Sequence, residues 1–136
     1  MPIDVKNLTF VYNPKSPFEK KALDDITFTI NDGEFVGIIG STGSGKSTLI
    51  QHLNGIIKLK EGSIKVGEID LTQKKVDLKL LRKGIGMLFQ YPEYQLFDST
   101  VLKDVCFGPK NFGMTESEAL ECAKEAITLV GLDYEE

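Results

Sequence analysis

One short stretch of this sequence places glycines, small hydroxyl residues and a lysine at a spacing that can hold phosphate. Residues 40–47 read Gly-Ser-Thr-Gly-Ser-Gly-Lys-Ser and fill every fixed position of the pattern G-x-x-x-x-G-K-[ST]. Small residues let successive backbone N–H groups turn inward and form a concave nest for phosphate oxygens. The pattern therefore predicts the phosphate-binding loop of a nucleotide site. The predicted binding residues are Gly40, Ser41, Thr42, Gly43, Ser44, Gly45, Lys46, Ser47 and Thr48.

The last three of these residues supply the side-chain chemistry. Lys46 can carry its positive charge to the β- and γ-phosphates, and the Ser47 hydroxyl can bind Mg²⁺. Thr48 can add a hydrogen bond to an inner phosphate. A helix that begins near Lys46 would also present its positive N-terminal end to the phosphates. The predicted ligand is therefore a nucleotide polyphosphate with Mg²⁺.

Two further side chains could belong to the same site, and each also has a simpler interpretation. Tyr12 ends the first strand, where its ring could stack on a purine base or pack within a sheet. Gln90 precedes Tyr91-Pro92, which favours extended backbone, and its carboxamide could reach Mg²⁺ or an attacking water. The alternative for Gln90 is a strand-end side chain that faces solvent. Spacing alone leaves both questions open.

The elements that would position these residues begin with β-strands. Apolar and polar residues alternate over 8–12 and again over 26–30, which is the period of half-buried strands. The segment Glu34–Ile39 is apolar on both faces, as is typical of a central strand in a parallel sheet. Residues 62–66 and 69–71 are predicted to be short antiparallel strands, and residues 85–89 a strand that leads into Gln90.

Three helices are predicted between and after these strands. The first follows the phosphate loop and ends near Gly55, a residue type that commonly terminates helices. A short surface helix is predicted near residues 78–83. The last runs over about 116–130, because Thr115 and Glu118 have the spacing of a capping box and an apolar stripe follows. Strands and helices together indicate an α/β fold.

The overall composition is that of an ordinary globular protein. The 136 residues include 16 Lys and Arg against 20 Asp and Glu, with a net charge of −4 and a pI near 5.1. This balance does not favour a strongly basic nucleic-acid module. No signal peptide or bilayer-spanning apolar segment is recognisable, so we expect a soluble chain. Cys106 and Cys122 cannot form a disulfide scaffold and are expected to be small buried residues in a reducing compartment.

These motifs together resemble the N-terminal part of an ATP-binding cassette (ABC) transporter ATPase. The resemblance covers essentially all 136 residues and rests on 40–47 as the Walker A loop, Tyr12 at the adenine-stacking position and Gln90 at the Q-loop position. It implies a P-loop α/β fold, truncated, with an antiparallel β subdomain. Residues 1–97 would form the N-terminal part of the ATPase core, and residues 98–136 the start of the α-helical subdomain.

The resemblance also implies an activity and cofactors. The full-length protein would be an ATPase that uses ATP and Mg²⁺. Lys46 and Gln90 would be its catalytic residues, and Ser47 and Gln90 would bind the metal. Tyr12 would stack on adenine, and Gln90 would link the nucleotide site to a membrane subunit.

Several stretches resemble one branch of the family, the ATPases of energy-coupling factor (ECF) importers of cobalt and vitamins. Residues 89–97 read Phe-Gln-Tyr-Pro-Glu-Tyr-Gln-Leu-Phe, and residues 107–109 read Phe-Gly-Pro. Residues 16–19, Ser-Pro-Phe-Glu, resemble the second of the two ATPase types in those importers. The implied function is ATP hydrolysis coupled to uptake of a vitamin or a transition metal ion, although the cargo itself is chosen by another protein.

Partners and location follow from the same resemblance. Two ATPase subunits, identical or different, would pair head to tail. A transmembrane coupling subunit would dock near Gln90–Asp98, where Tyr91, Tyr94, Leu96 and Phe97 either form a docking surface or pack inside the domain. A separate membrane subunit would bind the cargo. No nucleic-acid partner is expected, and the chain would lie as a peripheral subunit at the cytoplasmic face of the membrane.

Several motifs of the family are not found in these residues. The sequence contains no Leu-Ser-Gly-Gly-Gln signature, and its only histidine, His52, lies beyond the phosphate loop, where a structural role is expected. Without a signature, a Walker B strand and a catalytic Glu, the chain is expected to bind nucleotide without hydrolysing it alone. The apolar strand at 34–39 would lack a parallel neighbour, so self-association is also expected.

Other functions remain as alternatives. One is a small-molecule kinase of the P-loop class, although the antiparallel strands and Gln90 argue against it. Another is an ABC-type ATPase of nucleic-acid processing, to which the acidic pI gives no support. A third is a nucleotide-binding fragment without a catalytic role.

Overall fold

An antiparallel sheet organises residues 1–87 in the computed structural model, which describes residues 1–134 of the chain. Its strands lie in the order β2-β1-β3-β4. They are β1 (Ile3–Tyr12), β2 (Lys20–Ile30), β3 (Glu61–Val66) and β4 (Ile69–Asp70). A second compact unit, described separately below, begins at Leu88. The antiparallel strands predicted from the sequence are therefore present.

The central strand, β1, pairs with β2 on one side and with β3 on the other. Its register shifts between Val5 and Leu8, around Asn7, whose φ angle is 50°. A bulge of this kind changes which face the following side chains occupy. Val5, Leu8 and Phe10 are consequently all buried, although a regular strand would send Val5 and Leu8 to opposite faces.

Two helices pack with this sheet in the first unit. They are α1 (Lys46–Leu53) and α2 (Leu78–Gly84). Leu49 and Leu53 of α1 and Leu81 of α2 join the buried cluster of the sheet. The side chain of Asp77 caps α2 by accepting a hydrogen bond from the Leu80 N–H at 2.9 Å. The apolar face of each helix thus covers the sheet.

The C-terminal end of α1 is tied to the chain around α2. The Asn54 side-chain amide donates to the carbonyl oxygen of Ile85 at 3.1 Å. The Arg82 guanidinium lies at 3.5 Å and 3.4 Å from the carbonyl oxygens of Asn54 and Gly55. Since Asn54 is itself buried, these bonds satisfy its amide and carbonyl groups, which have little access to water.

Two segments that the sequence predicts to be strands are not strands in the structure. Glu34–Ile39 and residues 85–89 have no strand assignment, and they pair with no strand among the described residues. Phe35 and Ile39 are fully exposed, at 102% and 98%. The apolar pattern is that of a buried strand, but a strand also needs hydrogen-bonded neighbours. Without such neighbours the segments remain irregular, and this part of the prediction is wrong.

The second unit is mainly helical. A 3₁₀ turn at Pro92–Gln95 precedes α3 (Val101–Asn111) and α4 (Glu116–Leu129). The predicted capping box of α4 is confirmed, because the Glu118 N–H donates to the Thr115 hydroxyl and Thr115 donates back to the Glu118 carboxylate. The sequence pattern does not predict α3. Its cap, Thr100, accepts a hydrogen bond from the Lys103 N–H.

Contacts between α3 and α4 form the small core of this unit. Ala119, Ala123 and Ile127 of α4 are buried, as is Cys106 of α3, whose thiol contacts the Ala119 carbonyl at 3.6 Å. The expected burial is confirmed for Cys106, whereas Cys122 is only half buried. The subdomain boundary predicted after residue 97 stays a prediction. No helix in the described part of the chain has the length and apolar character needed to cross a membrane.

Candidate functional site

The geometry of the phosphate loop depends on its glycines. Gly43 and Gly45 have φ angles of 80° and 97°, a region that side chains disfavour. A Cβ atom at Gly45 would also lie 2.3 Å from the Ala22 carbonyl oxygen, and one at Gly40 would lie 2.6 Å from the Ser44 hydroxyl. The loop therefore requires glycine at 45 for two independent reasons, and its backbone is held close against β2.

The Lys46 side chain folds back over the loop that precedes it. Its Nζ donates to the carbonyl oxygens of Gly40 and Ser41, each at 2.8 Å, and lies 3.4 Å from the Ser44 hydroxyl. These acceptors are weak partners compared with an anionic phosphate. The ammonium group is thus held at the loop, where a bound phosphate oxygen can replace a carbonyl as its partner.

The N-terminus of α1 lies in the same place and carries no side-chain cap. Gly45 is its N-cap residue, and no side chain accepts a hydrogen bond from the first turn. The first N–H groups of any helix lack an acceptor within the helix. They and the helix dipole favour an anion at this end of α1. The Ser47 side chain, in that first turn, is exposed.

Aromatic and hydroxyl contacts fasten α1 to β1. The Tyr12 hydroxyl lies 3.2 Å from the Thr48 hydroxyl, and the Tyr12 ring meets Phe10 edge to face at 4.8 Å. Phe10 also meets the His52 ring at 4.7 Å. Tyr12 is 38% exposed, so one side of its ring packs in the sheet while part of it remains accessible. Both interpretations of Tyr12 thus describe part of its environment.

His52 is fully buried within this cluster. Its Nδ1 bonds the Thr48 carbonyl oxygen at 2.7 Å, which makes Nδ1 the protonated nitrogen. Among the described residues, Nε2 has no hydrogen-bond partner. Burial lowers the pKa of the imidazole, and the hydrogen bond to Thr48 raises it by less. The expected structural role of His52 is confirmed.

One cavity of about 210 Å³ brings the separate parts of the site together. Such a volume is below the roughly 300–1,000 Å³ of pockets that enclose a whole small molecule. Its size fits phosphate groups rather than a whole nucleotide. None of the described residues around it carries a carboxylate. The lining residues are Tyr12, Lys20, Ala22, Gly43, Gly45, Lys46, Ser47 and Thr48.

Two lining residues were missed by the sequence analysis. Lys20 and Ala22 lie on β2, and the register of the sheet places Lys20 directly opposite Tyr12. Nothing in the local sequence marks them. The signal was the pairing of the two strands, since the partner of a predicted base-stacking residue must lie beside the same ligand.

The structure describes Gln90 within the second unit, by itself. Gln90 is exposed and lies in a bend just before the 3₁₀ turn, and no strand leads into it. The four apolar side chains that follow are also exposed, which favours the docking alternative over burial in the domain. Their exposed fractions are 57% for Tyr91, 84% for Tyr94, 67% for Leu96 and 63% for Phe97.

The turn after these residues is ordered by one carboxylate. Asp104 of α3 accepts hydrogen bonds from the backbone N–H groups of Phe97 and Asp98, each at 3.1 Å. The Phe97 ring also packs edge to face on Phe107 at 4.8 Å. This end of the predicted docking segment is therefore anchored, although its apolar side chains face solvent.

The comparison with protein families identifies the class of this site. The ABC transporter family matches residues 23–135, which include the whole phosphate loop and the Gln90 segment. The chain belongs to the ABC transporter family. This confirms the class that the loop, Tyr12 and Gln90 predicted.

Curated relatives narrow the class to one branch. The chain is 54% identical over 134 residues to the energy-coupling factor transporter ATP-binding protein EcfA2 of Clostridium acetobutylicum. It is 56% identical over 135 residues to EcfA2 of Caldanaerobacter subterraneus. These matches cover 98% and 99% of this chain but only 47% of each relative. The chain thus spans about half the length of the relatives it matches, and the ECF resemblance is confirmed.

Solved structures confirm the fold class. The ATP-binding cassette MJ0796, in a dimeric post-hydrolysis state bound to ADP and phosphate, matches with a TM-score of 0.81 at 29% identity. That match covers 98% of this chain and 59% of the other. The cbiO1 protein of Clostridium perfringens, part of the ABC transporter complex cbiONQ, matches with a TM-score of 0.76 at 36% identity. It covers 96% of this chain and 50% of the other.

Proposed function

We propose that this chain is the nucleotide-binding part of an ECF importer ATPase and that it binds ATP with Mg²⁺. The observation that supports this most is the single cavity shared by Tyr12 and the phosphate loop. An aromatic ring, a glycine-rich loop and an uncapped helix end are three features suited to binding a nucleoside triphosphate. They come from β1, the loop and α1, and Tyr12 of β1 is distant in sequence from the start of the loop at Gly40.

Each part of the site has a separate task in binding. The N–H groups of the loop and of the first turn of α1 bind phosphate oxygens. Lys46 exchanges its bonds to the Gly40 and Ser41 carbonyls for the β- and γ-phosphates. The exposed Ser47 hydroxyl is the metal ligand that this unit offers. Bound Mg²⁺ would neutralise charge between the outer phosphates.

The roles of Gln90 and of the docking segment belong to the same proposal. Gln90 would contribute its carboxamide to the metal and to the attacking water. The exposed side chains between Tyr91 and Phe97 would meet a transmembrane coupling subunit, so that the protein acts at the cytoplasmic face of the membrane. In the whole protein, ATP hydrolysis in a pair of ATPase subunits would drive uptake of a vitamin or a transition metal ion.

Hydrolysis needs groups that these 136 residues do not contain, since no signature sequence is present. The loop, Lys46 and Ser47 hold phosphates, but none of them is a general base for water. We therefore propose that the chain alone binds ATP without turning it over. In this respect it is a binding module, and catalysis requires further residues.

Calorimetric titration of ATP in the presence of Mg²⁺ tests the proposal. The unchanged chain should bind ATP, whereas Lys46→Ala should lose most of the affinity because the ammonium group no longer meets the phosphates. Lys65→Ala is the matched control, since Lys65 is an exposed lysine on β3 away from the cavity. Equal binding by the unchanged chain and by Lys46→Ala would contradict the proposed site. Steady ATP hydrolysis that disappears in Lys46→Ala would contradict the proposed lack of turnover.

A further inference from the structure

We propose that Lys20 is a second phosphate-binding cation of this site and that it contacts the phosphate nearest the ribose. The inference rests on the proposed nucleotide binding and adds to it a residue outside the phosphate loop. It is carried by the position of Lys20 on β2, by the absence of an anionic partner for it among residues 1–134, and by the strand register that fixes it.

The cavity places Lys20 beside the phosphate loop. Lys20 is among the residues that line it, together with Lys46. A Cβ atom at Gly43 would lie 3.7 Å from the Lys20 Nζ, so the ammonium group lies near the loop at Gly43. The loop backbone is where the nest of N–H groups receives phosphate oxygens.

The strand pairing keeps Lys20 in this position. Lys20 is the Cα partner of Tyr12 across the β1–β2 pair, so the two side chains lie next to each other on one face. Two residues further along β2, the Ala22 carbonyl packs so closely on Gly45 that a Cβ atom there would lie only 2.3 Å away. The strand and the loop are thus held together, and Lys20 is held with them.

Charge distinguishes Lys20 from its neighbour Lys21. Lys21 lies on the other face of the strand and forms a salt bridge with Asp24 at 3.1 Å. Lys20 forms no salt bridge with any residue from 1 to 134. In the described part of the chain, no carboxylate lines the cavity that holds Lys20 and Lys46. A chain of net charge −4 therefore keeps two cations together at one cavity, which favours a multiply charged anion there.

The two neighbours of Lys20, Tyr12 and Gly43, indicate which phosphate it meets. Tyr12 marks the base end of the proposed nucleotide, and Lys46 marks the outer phosphates. Lys20 is the strand partner of Tyr12, and its Nζ lies near Gly43 of the phosphate loop. The phosphate between the base and the outer phosphates is the one attached to the ribose. Lys20 would hold it through a charge-assisted hydrogen bond.

The test compares ADP with adenosine, which has the same base and ribose and no phosphate. Both are titrated by calorimetry against the unchanged chain and against Lys20→Met, Lys20→Arg and Lys21→Met. Lys20→Met should weaken ADP binding by about fivefold, as expected for one exposed ion pair, and should leave adenosine binding unchanged. Lys20→Arg should bind ADP about as well as the unchanged chain, because the positive charge is kept. Lys21→Met should bind both ligands as the unchanged chain does. The loss should also shrink at high salt.

Other results would overturn the inference. ADP affinity unaltered in Lys20→Met, or an equal loss for ADP and adenosine, would show that Lys20 does not meet a phosphate. Lys46→Ala distinguishes this failure from failure of the whole site. If Lys46→Ala loses ADP and Lys20→Met does not, the proposed function stands and the role of Lys20 falls. If neither substitution changes ADP binding, both fall.

Discussion

The phosphate loop and the apolar segment that precedes it are neighbours in sequence and opposites in structure. Residues 40–47 form a defined loop, held by glycine conformations, by Lys46 and by contact with β2. Glu34–Ile39, directly before it, has no strand partner among the described residues, and two of its side chains, Phe35 and Ile39, are fully exposed. The conformation of the loop is determined mostly by its own few residues. The segment depends on neighbours from elsewhere, and its sequence alone cannot supply them.

The largest expected effect comes from breaking the loop at Gly45. In Gly45→Ala, the new methyl group would meet the Ala22 carbonyl, and the backbone would be strained at a φ of 97°. Unfavourable φ for alanine costs about 1–2 kcal/mol before the clash is added. We expect ATP binding to fall by more than about tenfold, and the melting temperature to drop. Calorimetry and thermal unfolding measure the two effects.

Gly37→Ala is the matched control for Gly45→Ala. Gly37 lies in the apolar segment, its φ is not in the left-handed region, and a Cβ atom there would have no neighbour within 4 Å. Alanine should therefore be accepted with little change in ATP binding or melting temperature. If Gly37→Ala were as damaging as Gly45→Ala, the proposed contrast between loop and segment would be wrong.

The next effect concerns the exposed apolar segment itself. Phe35 and Ile39 present large apolar surface to water, so we expect the purified chain to self-associate. The double substitution Phe35→Ser and Ile39→Ser should shift the chain toward monomer in size-exclusion chromatography with light scattering. The same pair of changes should leave ATP binding intact, because neither side chain lines the phosphate cavity. An unchanged chain that is already a uniform monomer would refute the expectation.

The smallest effect is a pH dependence from His52. Burial lowers the pKa of this imidazole in the folded chain below the value of about 6.5 that it has when unfolded. As the pH falls through that range, the imidazole of His52 binds a proton in the unfolded chain at a higher pH than in the folded chain. The free energy of unfolding should therefore decrease, by up to about 1 kcal/mol between pH 7 and 5.5.

His52→Leu isolates this contribution, because His52 is the only histidine in the sequence. The variant should lose the extra decrease over that pH range, whatever its stability at pH 7. Urea unfolding at several pH values measures the slope. Identical slopes for both chains would show that His52 does not resist protonation, and the close packing of α1 on Phe10 would then need revision.

Comparison of sequence and structure shows why some elements could be predicted. The capping box at Thr115 and Glu118 was recognised and is present, because a cap needs only residues that are close in sequence. The alternation over 8–12 predicted β1 for the same reason. The bulge at Asn7, however, put Val5 and Leu8 in one core, and its left-handed φ is not marked by a glycine.

The errors and omissions arise from long-range structure. The strands predicted at 34–39 and 85–89 were read from apolar patterns that fit a parallel sheet, but no neighbours complete them in the described residues. Helix α3 was missed because Gly108 and Pro109 lie within its last turn, and such residues normally argue against a helix. In the site, Lys20 could be identified only from the register that pairs it with Tyr12 in the structure.

The hydrogen bonds at the C-terminal end of α1 connect this short helix to a part of the chain that is distant in sequence. Its eight residues span about 12 Å, at a rise of about 1.5 Å per residue, so the helix forms a short rod with two distinct ends. One end of the rod carries the phosphate-binding N–H groups. The other end is pinned through Asn54 to the carbonyl of Ile85, five residues before Gln90. Within the first unit, we therefore expect a displacement of α1 at its phosphate end to move the Ile85 backbone as well.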